Sequence, residues 1–135
     1  MTRELVAITN TTVVNTETMC ELLGAIAARG MCGPITLVLD NARYQRNKIV
    51  EGLAKELGIE WLFLPSYSPN LNLIERLWRF TKRQAAYGRY HPTFTEFRAA
   101  VEDVLSQVST THAEKLASLM TLNFQELDEV SFLAA

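Results

Sequence analysis

The sequence predicts an α/β fold with parallel strands, crossover helices and a helical C-terminal tail. Three observations carry this expectation. Short β-prone runs alternate with helical segments up to residue 64; one of those runs is continuously apolar; and beyond residue 93 only helical periodicity remains.

The elements follow in order. Leu5 to Thr9 (LVAIT) reads as a short strand. Asn15 is placed to cap a helix in which Met19, Leu22, Leu23 and Ile26 recur at helical spacing, and Gly30, Gly33 and Pro34 close it. Ile35 to Asp40 (ITLVLD) is the apolar run, of the kind buried on both faces of a parallel sheet. Ile49, Val50, Leu53 and Leu57 mark one face of a second helix that Gly58 ends, and Ile59 to Leu64 (IEWLFL) is a further strand. Two prolines make Pro65 to Asn70 a rigid loop. A third helix spans roughly Leu73 to Tyr87. A fourth is lined by Phe94, Phe97, Val101, Val104, Leu105 and Val108, and His112 to Met120 adds a short fifth.

Composition narrows the class. The chain has 135 residues, a net charge of -2, 48% hydrophobic and 21% charged residues, which is ordinary for one globular domain and excludes collagen-like, disordered and disulfide-scaffold classes. No basic-then-apolar leader and no apolar run of about 20 residues is present, so a cytoplasmic protein without membrane partners is expected. Cys20 and Cys32 form no C-x-x-C pair and read as reduced, packed thiols. The net charge conceals a gradient. Residues 1–95 carry 11 basic and 8 acidic side chains, residues 96–135 carry 2 and 7, and from Arg43 to Arg89 the count is 9 to 4, so a basic surface facing phosphate is compatible with the acidic total.

Asp40 and Glu75 are the candidate chemical pair. Asp40 is the lone charge at the end of an apolar strand, where ligands of open α/β sheets sit, although an Asp before Asn also caps turns. Glu75 begins the third helix with Arg79 and Lys82 at i+4 and i+7, flanked by Arg76 and Arg83. Leu73, Ile74, Leu77 and Phe80 are expected to face inward. An ordinary Glu75–Arg79 surface pair is the plain alternative, contributing only about 0.3–0.5 kcal/mol. Carboxylates at a strand end and a helix start suit Mg²⁺, a hard cation that takes a few carboxylates and fills its other positions with water or phosphate oxygens.

The stretches ITLVLDNARYQ and LFLPSYSPNLNLIERLWRFTKR resemble insertion-sequence transposases of the mariner-like group, whose integrase-like DDE superfamily endonuclease domain is RNase H-like. The likeness runs from about residue 4 to residue 85. It includes the 34 residues, 41 to 74, that separate Asp40 from Glu75. It implies DNA transposition and recombination chemistry with Asp40 and Glu75 as catalytic metal ligands for Mg²⁺ (or Mn²⁺) in a two-metal mechanism. It also implies DNA partners, namely transposon ends and target, and a bacterial cytoplasmic or nucleoid location. Arg43, Arg76, Arg79, Lys82 and Arg83 are the expected DNA contacts. Many relatives carry a histidine a few positions after the aspartate; Gln45 stands here, so that role is not carried over.

One feature of the family has no counterpart. Its first catalytic Asp precedes the other two acids, yet no Asp lies before Asp40, and Glu4, Glu17 and Glu21 read as surface residues. The expectation is therefore an N-terminally truncated, incomplete RNase H-like core over 1–92, with 93–135 a helical extension of the same domain. Such a chain would be inactive alone, or a non-catalytic DNA-binding or oligomerisation remnant of a transposase. An unpaired sheet edge would favour a homo-oligomer or a companion N-terminal transposase fragment. Tyr67, Trp78, Tyr87 and Tyr90 interleave with basic residues in a way that suits stacking on unpaired bases, but such aromatics are more often core or interface filler, as Trp61 and Phe63 are expected to be. His91 and His112 lack partners at ligand spacing and read as surface residues.

Overall fold

The computed structural model describes residues 4–66 and 68–124. Helix α1 (Thr16–Ala27) begins where Asn15 accepts the Thr18 N–H, and α2 (Lys48–Glu56) begins where Asn47 accepts the N–H groups of Ile49 and Val50. Between and after them run β1 (Ile35–Leu39) and β2 (Ile59–Phe63), a parallel pair in which Leu37 lies beside Trp61 and Leu39 beside Phe63. Helix α2 is the crossover that a parallel pair requires. Gly58 turns the chain from α2 into β2 with φ 70, a left-handed conformation natural to glycine. Three further helices follow: α3 (Leu73–Ala86), α4 (Phe94–Gln107) and α5 (Ala113–Leu119).

Packing divides into two parts. Met19 and Leu23 of α1, Val50 and Ala54 of α2 and Ile59 of β2 form one buried cluster, against which Ile35, Leu37, Leu39 and Trp61 close the inner face of the sheet. Leu77 of α3 meets Val108 and Leu116 in a second cluster, and Phe80 and Ala85 meet Val104 in a third, so the outer face of α3 is left to solvent. A capping box at Thr93 and Glu96 fixes the start of α4.

Several expectations are corrected. Leu5 to Thr9 forms no strand: among the described residues no chain lies beside it to complete a ladder, and Leu5 instead packs on the second cluster. The strands are not buried on both faces, because α1 and α2 cover one face only; Val38 is 53% and Leu62 55% exposed, and they neighbour one another on the open face. Ile74 points outward rather than into the core. Cys20 packs on the first cluster as expected, whereas Cys32 is exposed. His91 and His112 are not simple surface residues: the His91 ring lies edge-on to Phe97, and His112 edge-on to Phe80. The expected extension to residue 135 includes 125–135, which fall outside the described residues, as does the Tyr67 reading. Among the described residues no helix is long and apolar enough to cross a membrane.

Candidate active site

The site is built where the two strands end. The Leu64 N–H donates to the Leu39 carbonyl at 2.7 Å, extending the ladder one residue past the strands. The chain then turns sharply at Asn41, which has φ 75, a left-handed conformation that asparagine tolerates better than most residues. Its side-chain Nδ2 donates to the Leu64 carbonyl at 3.0 Å and so staples the two strand ends together. This turn leaves Asp40 exposed at the carboxyl end of β1.

Asp40 is held on one side. Gln45 Nε2 donates to Asp40 Oδ1 at 2.9 Å, while Gln45 Oε1 accepts the Ala42 N–H at 3.0 Å. The Ala42 N–H also leans toward Asp40 Oδ1 at 3.4 Å, so the turn-capping role of Asp40 and an outward-facing role coexist in one side chain. Gln45 itself is only 5% exposed. A short 3-10 turn, Arg43–Gln45, brings it under the aspartate, and Asn47 braces that turn by donating to the Tyr44 carbonyl and to Thr16 Oγ1. Burial, and secondarily the Asp40 charge, push the Tyr44 phenol above its ordinary range, partly offset by a hydrogen bond with Gln45. The phenol therefore stays neutral near pH 7.

Asp40, Tyr44 and Gln45 line a cleft of about 450 Å³ whose other walls include Leu5 to Ile8 and the start of α3, at Asn72, Ile74 and Trp78. Asn72 caps α3 by accepting the Ile74 N–H at 3.0 Å. Glu75 occupies the first turn of this helix and is exposed. The structure thus brings the beginning of α3 to the cleft that Asp40 opens on; Glu75 stands next in sequence to the wall residue Ile74 and is not itself part of the wall. Among the described residues the Glu75 carboxylate has no hydrogen bond or ion pair, so the plain Glu75–Arg79 pair does not form.

The basic residues separate into two groups. Arg43, Arg79, Lys82 and Arg83 are exposed. Arg76 instead turns toward the C-terminal segment, donating to the carbonyls of Leu119, Thr121 and Asn123 at 2.8–3.1 Å, which removes its guanidinium from the outer face of α3. Glu4 is paired with Arg29 at 2.6 Å, leaving it poorly placed to act as a ligand.

Among the described residues Asp40 keeps Oδ2 unengaged and Glu75 keeps both carboxylate oxygens, donors of the kind of which Mg²⁺ takes one or two before completing its shell with water or phosphate. Among the described residues no group of three or more His, Cys, Asp or Glu side chains gathers, so the donors for a two-metal centre are not assembled by these residues. The sequence expectations name Asp40 and Glu75; the Gln45 brace and the Asn41 staple lie outside them. The motif Asp-Asn-x-x-x-Gln was in view, yet only the left-handed turn at Asn41 makes its first and last members meet.

Asp40, at the carboxyl end of β1, and the start of α3, a helix rich in Arg and Lys, thus share one cleft. Residues 1–98 match the family described as DDE superfamily endonuclease, and the chain belongs to that family. Neither a curated protein nor a solved structure matches the chain.

Proposed function

We propose that this chain provides part of a transposase catalytic centre of the mariner-like insertion-sequence group, built on an RNase H-like core with 93–135 as its helical extension. Membership of the DDE superfamily endonuclease family supports DNA cleavage of the transposase type. The observation that carries the finer reading is the exposed Asp40 carboxylate, braced through one oxygen by buried Gln45 and opening on the cleft reached by the first turn of α3.

In this reading Asp40 and Glu75 hold Mg²⁺ (or Mn²⁺), which when bound polarises the phosphodiester and lowers the pKa of the attacking water or hydroxyl. Gln45 fixes the Asp40 rotamer so that its second oxygen faces the cleft. Arg43, Arg79, Lys82 and Arg83 bind DNA phosphates, and the cytoplasm is the expected location. A two-metal centre needs a further carboxylate, which a companion polypeptide or a partner copy would supply. This chain alone is therefore inactive.

The test is a supercoiled-plasmid nicking assay with Mg²⁺ or Mn²⁺, run beside thermal unfolding. No nicking is expected from the chain alone, together with a metal-dependent rise in Tm that Asp40→Asn abolishes. Robust nicking that disappears in Asp40→Asn would overturn the inactivity. Among the described residues no three-acid group gathers, and the second reading is a non-catalytic DNA-binding or oligomerisation module. That reading predicts salt-sensitive DNA binding that weakens in Arg79→Ala and Lys82→Ala and survives Glu75→Gln, with no effect of metal on Tm.

A further inference from the structure

The outer face of α3 and the loop after it present aromatic rings to solvent among cations. Trp78 is 44% exposed, Tyr87 80% and Tyr90 87%. Solvent exposure of three large aromatics so close in sequence means that packing among the described residues does not account for them. Two are paired with cations one helical turn apart: the Lys82 Nζ lies 5.2 Å from the Trp78 ring centre, and the Arg83 Cζ lies 5.9 Å from that of Tyr87. The third is held in place by its neighbours. Gly88 reverses the chain with φ 70, the Arg89 N–H donates to the Ala86 carbonyl, and His91 Nε2 donates to the Ala85 carbonyl at 2.8 Å, which pins the loop carrying Tyr90 to the end of α3.

Charge selects the occupant. Between Glu75 and Glu96 there is no acidic residue, while Arg79, Lys82, Arg83 and Arg89 are exposed. A duplex backbone requires only the cations, and an acidic peptide offers no flat rings to stack. An unpaired DNA strand uses both, its bases against the rings and its phosphates against the cations. Trp78 and Tyr87 lie roughly 13 Å apart along α3 and about half a turn apart around it, with Lys82 and Arg83 between them, so a strand crossing this basic face meets a ring at each edge.

We propose that Trp78, Tyr87 and Tyr90, with Lys82, Arg83 and Arg89, form a binding surface for single-stranded DNA. The proposal deepens the DNA reading above and rests on it. It assigns this face to the unpaired segment that a DNA-cleaving enzyme meets at an opened or nicked end.

The experiment measures binding of a fluorescent 20-nucleotide oligo(dT) and a 20-base-pair duplex by anisotropy at fixed salt, with polyglutamate as competitor. Tyr87→Ala/Tyr90→Ala is expected to lose about thirtyfold or more in affinity for the single strand. Its duplex affinity and Tm should be unchanged, and Tyr87→Phe/Tyr90→Phe should bind like the parent. Duplex binding without loss of single-strand affinity in the alanine variant overturns this inference and leaves the DNA reading standing. Failure to bind either DNA overturns both. Displacement of oligo(dT) by polyglutamate as effective as by an equal charge of unlabelled oligo(dT) overturns the assignment in favour of an acidic peptide.

Discussion

The side-chain amide of Gln45 donates to Asp40 Oδ1 at 2.9 Å while its carbonyl oxygen accepts the Ala42 N–H, so a buried neutral residue sets the direction of an exposed acid. Gln45→Ala removes both bonds and leaves the Ala42 N–H without that acceptor. A loss of about 1–3 kcal/mol in unfolding free energy is expected from urea denaturation. The metal-dependent rise in Tm should shrink in the same variant, because Asp40 is no longer held. A variant as stable as the parent would show that Gln45 does not brace this turn.

Asn41 provides a second check on the same turn. At φ 75 an alanine is strained by the left-handed backbone, whereas glycine is not, and both lose the bond to the Leu64 carbonyl. Asn41→Ala should therefore be less stable than Asn41→Gly by about 1 kcal/mol. Equal stabilities in urea would mean that the backbone at residue 41 relaxes out of this conformation.

These two residues show where the sequence could be read and where it could not. Helices were legible because their signals are local: Asn15 and Gly58 mark ends, and apolar spacing marks faces, to within a residue or two of the observed bounds. Asp40 was legible as a charge ending an apolar strand. The strand expected at Leu5 to Thr9 was not readable, because β-propensity says nothing about whether a neighbouring strand is present. Ile74 and Arg76 were misplaced for a related reason. Periodicity assigns a face, but which face is covered depends on the return of residues 119–123 to Arg76 and on the open cleft beside Ile74.

Arg76 and Arg79 should separate stability from binding. Arg76 makes three bonds to main-chain carbonyls and its guanidinium lies 5.4 Å from the Phe124 ring centre, so Arg76→Ala should cost about 2 kcal/mol of stability. Arg79 is exposed, and Arg79→Ala should leave Tm within experimental error. In DNA titrations the order reverses: Arg79→Ala should reduce the slope of log K against log salt by about one, and Arg76→Ala should leave it unchanged. A reduced slope in folded Arg76→Ala would place its guanidinium on the DNA.

Glu102 supplies the pH dependence. Its carboxylate accepts from Arg98 Nε at 2.7 Å and from Thr9 Oγ1 at 3.0 Å, and these bonds, Arg98 first, hold its pKa below the ordinary glutamate range. A carboxylate whose pKa is lower in the folded state binds fewer protons there than when unfolded. The stabilisation is therefore complete above about pH 4.3, the unfolded value, and is lost as the pH falls through the folded value. Urea midpoints of the parent and of Glu102→Gln should accordingly differ by a constant amount from pH 5 to 7 and converge below pH 4. Because Thr9 lies in the N-terminal segment and Arg98 in α4, the same acid-induced loss should release residues 5–9 before the helices unfold, seen as faster limited proteolysis within that segment. A gap between the two midpoints that stays constant down to pH 3 would show that Glu102 does not join the segment to the helix.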